Sequence, residues 1–154
     1  MDKTILAVYP FTPEARKVLE RARVEARRLV HRVGPEHLLV GLASLTRQDG
    51  LVGKALKDVG IDFARTQAAI ESRQGRGTQA APVVLVQSAL CRAYLLLAAD
   101  EAERRDGQGA SIKSEHLLLG LLHEEKGIIA DLLDDLGTSV EMVRTEVLEA
   151  MSIT

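Results

Sequence analysis

The 154-residue chain has few aromatic residues and almost no cysteine: aromatics make up 3% of it, Trp is absent and Cys91 is the single cysteine. One cysteine cannot form a disulfide within the chain, so the sequence fits a reducing compartment. Without large aromatic side chains, the core must be built from Leu, Val, Ile and Ala, which favours packed helices over sheets. We expect Cys91 to be a small core residue.

Long hydrophobic runs are also missing. The apolar stretch at residues 5–8 is shorter than the about 7–15 residues of a secretory signal. No run approaches the about 18 apolar residues of a membrane span. We therefore expect a cytoplasmic protein with no membrane partner.

The motifs of common catalytic sites do not occur: there is no GxxxxGK[ST], GxGxxG, HExxH, CxxC or GxSxG. The prediction is a protein that is not an enzyme and needs no cofactor or metal. His37 and His116 each follow a Glu, and adjacent helical residues point about 100° apart, unlike ligands spaced i,i+4. Both His are expected to pack against a neighbouring helix and to bond to backbone.

What the sequence does contain is a duplication. PEHLLVGL at 35–42 returns as SEHLLLGL at 114–121, and the two Glu-His pairs are 79 positions apart. GLVGKALKDVGID at 50–62 returns as GIIADLLDDLGTS at 127–139. Such self-similarity indicates two copies of one structural unit.

Each copy predicts four helices from apolar residues at helical spacing and from capping residues. In the first copy the signals are the cap Thr12 before Pro13, a start at Pro35, a helix over about 50–59 that stops at Gly60, and a helix over about 63–72 capped by Asp62. In the second copy the signals are Ser88 in the position of Thr12, Ser114 as a cap, Gly137 as a stop and Ser139 as the last cap.

Two four-helix units with one apolar face each would bury those faces against each other. The predicted fold is all-α, with two pseudo-twofold-related four-helix repeats packed into one compact bundle. The expected divisions are an extension at 1–10, then the repeat domain at 11–151, with repeat one at about 11–72, a linker at about 73–82 and repeat two at about 83–151.

Within the duplicated motif, leucines are predicted core residues, and Gly41 and Gly120 are predicted sites of close helix approach. Packing does not explain Glu36 and Glu115 in the same way. A first-turn carboxylate complements the helix dipole by about 0.3–1 kcal/mol. It could equally accept a guanidinium bidentately, near a helix start that binds an anion. The residues leave both interpretations open.

The duplicated E-H-L-L-x-G-L, with the later G-x-x-x-x-x-L-x-x-x-G, resembles the double Clp N-terminal repeat of Clp/Hsp100 unfoldases, closest to the ClpC type. The resemblance covers about residues 11–151. The sequence contains no nucleotide-binding motif, so we expect it to be similar to stand-alone Clp N-domain proteins, such as the plastid ClpT accessory subunits or short ClpC-like proteins of bacteria. In a plant the expected location would be the plastid stroma.

The resemblance implies partners and a ligand. It implies docking of adaptor proteins, substrates, or Clp unfoldase and protease subunits, and modulation of ATP-dependent proteolysis. In the ClpC type it also implies recognition of phosphorylated arginine by a hydroxyl and a carboxylate in each repeat. By position these are Thr12 and Glu36 in repeat one and Ser88 and Glu115 in repeat two.

The charge distribution supports an alternative. Residues 1–77 hold 14 Lys/Arg and 9 Asp/Glu, whereas residues 78–154 hold 6 and 13. A basic first helix could bind nucleic acid through phosphates. Its basic residues are Arg16, Lys17, Arg21, Arg23, Arg27, Arg28 and Arg32. The pI of about 6.1 argues against this alternative, because nucleic-acid-binding domains are typically strongly basic.

Overall fold

The computed structural model describes residues 9–29, 33–75, 89–123 and 125–153. These residues form eight α-helices, a 3₁₀ turn at Ser44–Arg47 and an isolated β-bridge between Phe11 and Ile112, so the all-α prediction is confirmed. The helices are α1 (Pro13–Arg28), α2 (Pro35–Ala43), α3 (Leu51–Asp58), α4 (Phe63–Gln74), α5 (Ala89–Asp106), α6 (Ser114–Leu121), α7 (Ile128–Asp135) and α8 (Val140–Ile153). None of them is long and apolar enough to cross a bilayer.

The predicted helix ends of the first repeat are confirmed. The Thr12 hydroxyl accepts a hydrogen bond of 3.2 Å from the Ala15 N–H at the start of α1. The Asp62 carboxylate accepts one of 2.7 Å from the Arg65 N–H at the start of α4. Gly60 ends α3 with a φ of +83°, a conformation that glycine adopts without steric cost. Local capping chemistry therefore sets these boundaries.

In the second repeat one predicted cap is wrong. Gly137 has a φ of +82° and Ser139 accepts a 3.1 Å hydrogen bond from the Met142 N–H, as expected. Ser114, however, is the first residue of α6, and the capping position belongs to Lys113. The Ser114 hydroxyl instead donates to the carboxylate of Glu14 in the other repeat. Ser88 lies outside the described residues.

Contacts between the repeats follow a reciprocal pattern. The Glu-His helices α2 and α6 contact each other at the centre, and all residues of α2 are buried. The third helix of each repeat contacts the fourth helix of the other, so α3 packs on α8 and α4 on α7. Arg73 of α4 donates two hydrogen bonds of 2.9 Å to Asp135 of α7. This reciprocal pattern of contacts is what pseudo-twofold packing of two repeats requires.

The duplicated motif supplies much of the core. The six leucines that the two copies share at matching positions are at most 2% exposed, namely Leu38, Leu39, Leu42, Leu117, Leu118 and Leu121. Cys91 is fully buried, as expected. A Cβ on Gly41 would lie 2.4 Å from the Val18 carbonyl oxygen, and a Cβ on Gly120 would lie 2.9 Å from the Tyr94 carbonyl oxygen. Both glycines are therefore points where two helix backbones nearly touch.

Candidate functional site

The start of α1 is joined to the chain segment that leads into α6. The Thr12 N–H donates a 3.0 Å hydrogen bond to the Ile112 carbonyl, and the Ile112 N–H donates one of 2.7 Å to the Pro10 carbonyl. Together with the bond from Ser114 to Glu14, these contacts hold two helix starts from different repeats side by side. The half-buried Thr12 therefore lies next to the helix start that carries Glu115.

Glu115 is the second residue of α6 and is half-buried. Within the part of the chain that the structure describes, its carboxylate makes no hydrogen bond or ion pair. Its position in the first turn puts it near backbone N–H groups that have no helical partner. Such a carboxylate can accept a cationic ligand group while the neighbouring helix start attracts an anionic one.

A shallow groove of about 250 Å³ lies beside this point. Tyr9, Pro10 and Ile112 form part of its wall and adjoin Thr12 in sequence or by backbone bonding. Asp100 and Glu103 line the same groove. Its mixture of apolar surface and carboxylates suits an extended peptide with a basic residue.

Glu36, the counterpart of Glu115, has different surroundings. It is only 8% exposed, and a Cβ on Gly34 would lie 1.9 Å from its Oε1 atom. Its carboxylate therefore folds back over the missing side chain of Gly34, where Gln74 donates a 3.4 Å hydrogen bond to Oε2. The equivalent of Gly34 in the second repeat is Lys113, whose Cβ occupies that space. The two glutamates are consequently not equivalent.

The helix α2, which carries Glu36, also contacts α5 of the other repeat. Burial raises the pKa of the Cys91 thiol to about 12, and the negative charge of Glu36 contributes to that rise. Cys91 is a residue of α5, so the charge of Glu36 acts on a helix of the other repeat. The hydrogen bonds at Thr12 and Ser114 thus join the start of α1 to the start of α6, across the two repeats.

The two motif histidines are structural, as predicted. Nδ1 of His37 accepts a 2.9 Å hydrogen bond from the Gly34 N–H, and Nδ1 of His116 accepts one of 2.9 Å from the Lys113 N–H. Burial lowers the pKa of His116, which keeps its ring neutral and able to accept this bond. Because Nδ1 of His37 is an acceptor, the Glu36 oxygen 3.2 Å away is not its hydrogen-bond partner. No group of metal ligands occurs among the described residues.

Two features of the site were missed from sequence. Glu14 binds Ser114 across 100 positions, and Gln74 reaches Glu36 across 38. Neither pair has a local pattern that would reveal it. The space over Gly34 could have been recognised from the sequence, because the matching position of the other repeat is occupied by Lys113.

Comparison with known proteins agrees with this architecture. The sequence matches the Clp repeat (R) N-terminal domain family over residues 10–105 and 88–153. The chain therefore belongs to this family, which comprises N-terminal domains of Clp/Hsp100 chaperones.

Two curated relatives give the scale of the match. The chain is 36% identical over 142 residues to the negative regulator of genetic competence ClpC/MecB of Bacillus subtilis, covering 92% of the chain and 17% of that protein. It is 38% identical over 147 residues to the chloroplastic chaperone protein ClpC1 of Arabidopsis thaliana, covering 94% of the chain and 15% of that protein. The chain thus spans about a sixth of the length of these relatives.

Solved structures confirm the fold. The N-terminal domain of the caseinolytic protease associated chaperone ClpD of Arabidopsis thaliana superposes with a TM-score of 0.74 at 22% identity, covering 92% of this chain and 97% of that one. The Hsp104 N-terminal domain of Candida albicans gives a TM-score of 0.68 at 18% identity, covering 91% and 90%.

Proposed function

We propose that the protein is a non-enzymatic binding module of the Clp proteolytic system, acting in a bacterial cytoplasm or a plastid stroma. It would bind substrates, adaptors or Clp subunits and so modulate ATP-dependent proteolysis. The observation that carries the proposal is that the double Clp repeat accounts for residues 10–153. The named relatives are Clp chaperones, and the match lies in about a sixth of their length.

Phosphoarginine is the proposed ligand of the paired helix starts. Its guanidinium group needs a carboxylate, and its phosphoryl group needs N–H or hydroxyl donors, which the start of a helix supplies. Thr12 with Glu115 would form one site, and the pseudo-twofold relation of the two repeats would then assign Ser88 and Glu36 to the other. The cross-repeat hydrogen bonds at Thr12 support the first pairing.

The two sites should differ in affinity. Glu115 is half-buried, whereas Glu36 is 8% exposed and accepts a hydrogen bond from Gln74. A ligand at Glu36 must first displace that carboxylate from its place over Gly34. The Glu115 site is therefore proposed to bind first, because its carboxylate needs no such rearrangement.

The test is calorimetric titration with a phosphoarginine peptide and with the same peptide carrying unmodified arginine. Glu115→Gln should weaken phosphoarginine binding by about tenfold or more, as expected for the loss of a charge-assisted hydrogen bond. Glu36→Gln should have a smaller effect. Glu141→Gln is the matched control, since Glu141 is an exposed first-turn glutamate of α8. Unchanged affinity in the variant lacking both Glu36 and Glu115 would remove the assignment.

Gly34→Ala offers a gain-of-function test. A Cβ at Gly34 would force the flexible Glu36 carboxylate outward, because the two would otherwise lie 1.9 Å apart. If Glu36 is a ligand residue, this variant should bind phosphoarginine more tightly at the weaker site. If no phosphoarginine binds to any form, affinity capture of Clp subunits with the wild-type chain tests the docking role separately.

A further inference from the structure

Two arginine side chains converge on one aromatic ring. The Cζ atoms of Arg21 in α1 and Arg47 in the 3₁₀ turn lie 4.6 and 4.3 Å from the ring centroid of Phe63. The two guanidinium carbons are therefore at most 8.9 Å apart. Phe63, the first residue of α4, is only 5% exposed. Two positive charges thus lie close together over a buried ring.

Within the described part of the chain, no carboxylate neutralises this pair. Glu25 is one turn beyond Arg21 on the same face of α1, but its oxygens are occupied by Arg28 at 2.6 Å and by Gln67 at 2.9 Å. Neither Arg21 nor Arg47 makes a hydrogen bond or an ion pair with a described residue. Like charges held together without a counter-ion create a local positive potential that favours a bound anion.

The terminal nitrogens of both guanidinium groups are accessible. The Nε atom of Arg21 is buried and has no hydrogen-bond partner. The two terminal nitrogens of the same side chain are not buried in this way. Arg47 is exposed, as is Lys17, which lies one helical turn before Arg21. A guanidinium stacked on a ring keeps its in-plane N–H groups available for a carboxylate.

The repeat comparison shows that the fold does not need this cluster. The positions of Arg21 and Phe63 are taken in the second repeat by Leu97 and Val140. Val140 is buried and Leu97 packs against the core, so ordinary apolar side chains serve the same architecture. The stacking of Arg21 on Phe63 is therefore an addition to repeat one.

We propose that Arg21 and Arg47, with Lys17 at the margin, bind an acidic segment of a protein partner through its carboxylate side chains. Nucleic acid is a poorer fit, because phosphate-driven binding needs an extended basic surface. Here Arg28 is paired with Glu25, and the chain has a net charge of −2. Arg21 lies nine residues along α1 from Thr12, about 13 Å of helix rise, so this surface is independent of the phosphoarginine proposal.

The probe is a short fluorescein-labelled peptide of alternating Asp and Glu, followed by anisotropy at low salt. The double variant Arg21→Gln, Arg47→Gln should bind about tenfold or more weakly, the usual effect of losing charge-assisted hydrogen bonds. Arg23→Gln removes the same charge from α1 two residues away, and helical geometry puts it on the opposite side from Arg21. It should change the affinity by less than about twofold. An equal loss in Arg23→Gln, or no loss in the double variant, overturns the proposal.

Three further measurements keep the test decisive. In wild-type protein, the peptide should shift the NMR signals of the Arg21 and Arg47 side chains, which needs no variant to fold; shifts elsewhere alone would contradict the site. Free phosphoarginine should not displace the acidic peptide. A failure of the phosphoarginine proposal can therefore be distinguished from a failure of the acidic-segment proposal. A single-stranded oligonucleotide that binds these arginines more tightly than the peptide would refute the assignment to an acidic protein segment.

Discussion

Replacing Gly41 with alanine tests the close approach of α1 and α2. The new Cβ would lie 2.4 Å from the Val18 carbonyl oxygen, 1.0 Å inside the 3.4 Å at which ordinary contact begins. That oxygen belongs to a helix backbone, so it cannot rotate away and one helix must shift. Overpacking of this kind costs about 1–3 kcal/mol. Alanine gains about 1 kcal/mol of helix propensity over glycine, which offsets only part of the cost.

The difference between this cost and this gain is about 0–2 kcal/mol. Because the clash is with backbone, we expect the upper part of that range, a loss of about 1–2 kcal/mol in the free energy of unfolding. For a domain of this size, it corresponds to a fall in Tm of about 2–8 °C. Urea unfolding followed by circular dichroism measures the free energy, and a thermal scan measures Tm.

Two variants serve as comparisons for Gly41→Ala. Gly120→Ala should cost less, since its nearest contacts are at 2.9 Å. Gly50→Ala should change stability by less than about 1 kcal/mol, because a Cβ there meets nothing within 4 Å and its φ of 176° is ordinary extended backbone. A Gly41→Ala protein as stable as the wild type would refute the close-approach argument.

Three other predictions concern His116, Cys91 and Asp62. Since burial lowers the pKa of His116, its contribution to stability should be fully present above its unfolded pKa of about 6.5 and be lost as the pH falls through its folded pKa. Urea unfolding at several pH values should show a smaller acid loss in His116→Gln, whose side chain can accept the same Lys113 N–H without titrating; equal losses would exclude His116 as the cause. The Cys91 thiol, buried and with its pKa raised to about 12, should resist iodoacetamide at pH 8 in the native protein and react once unfolded, so rapid native labelling would contradict its burial. Asp62→Ala should cost about 0.5–2 kcal/mol of unfolding free energy through loss of the cap on α4, whereas Asp62→Asn should largely preserve it.

Most of the helix boundaries could be predicted because the chemistry that sets them is local. Thr12, Asp62 and Ser139 each bond to a backbone N–H three residues away, within reach of a sequence pattern. The duplication likewise predicted two repeats, and the glycines at matching positions predicted close approaches between helices. Ser114 failed as a predicted cap because its hydroxyl bonds to Glu14, a residue of the other repeat that no local pattern connects to it.

By itself, the sequence determined the helical repeats, the leucine core and the family, since these depend on periodicity and on short-range capping. Only the tertiary structure decided which helix starts meet, why Glu36 is buried while Glu115 is not, and that Arg21 and Arg47 share the ring of Phe63. Those features join residues far apart along the chain, and their distances are fixed by how the two repeats pack rather than by any spacing in the sequence.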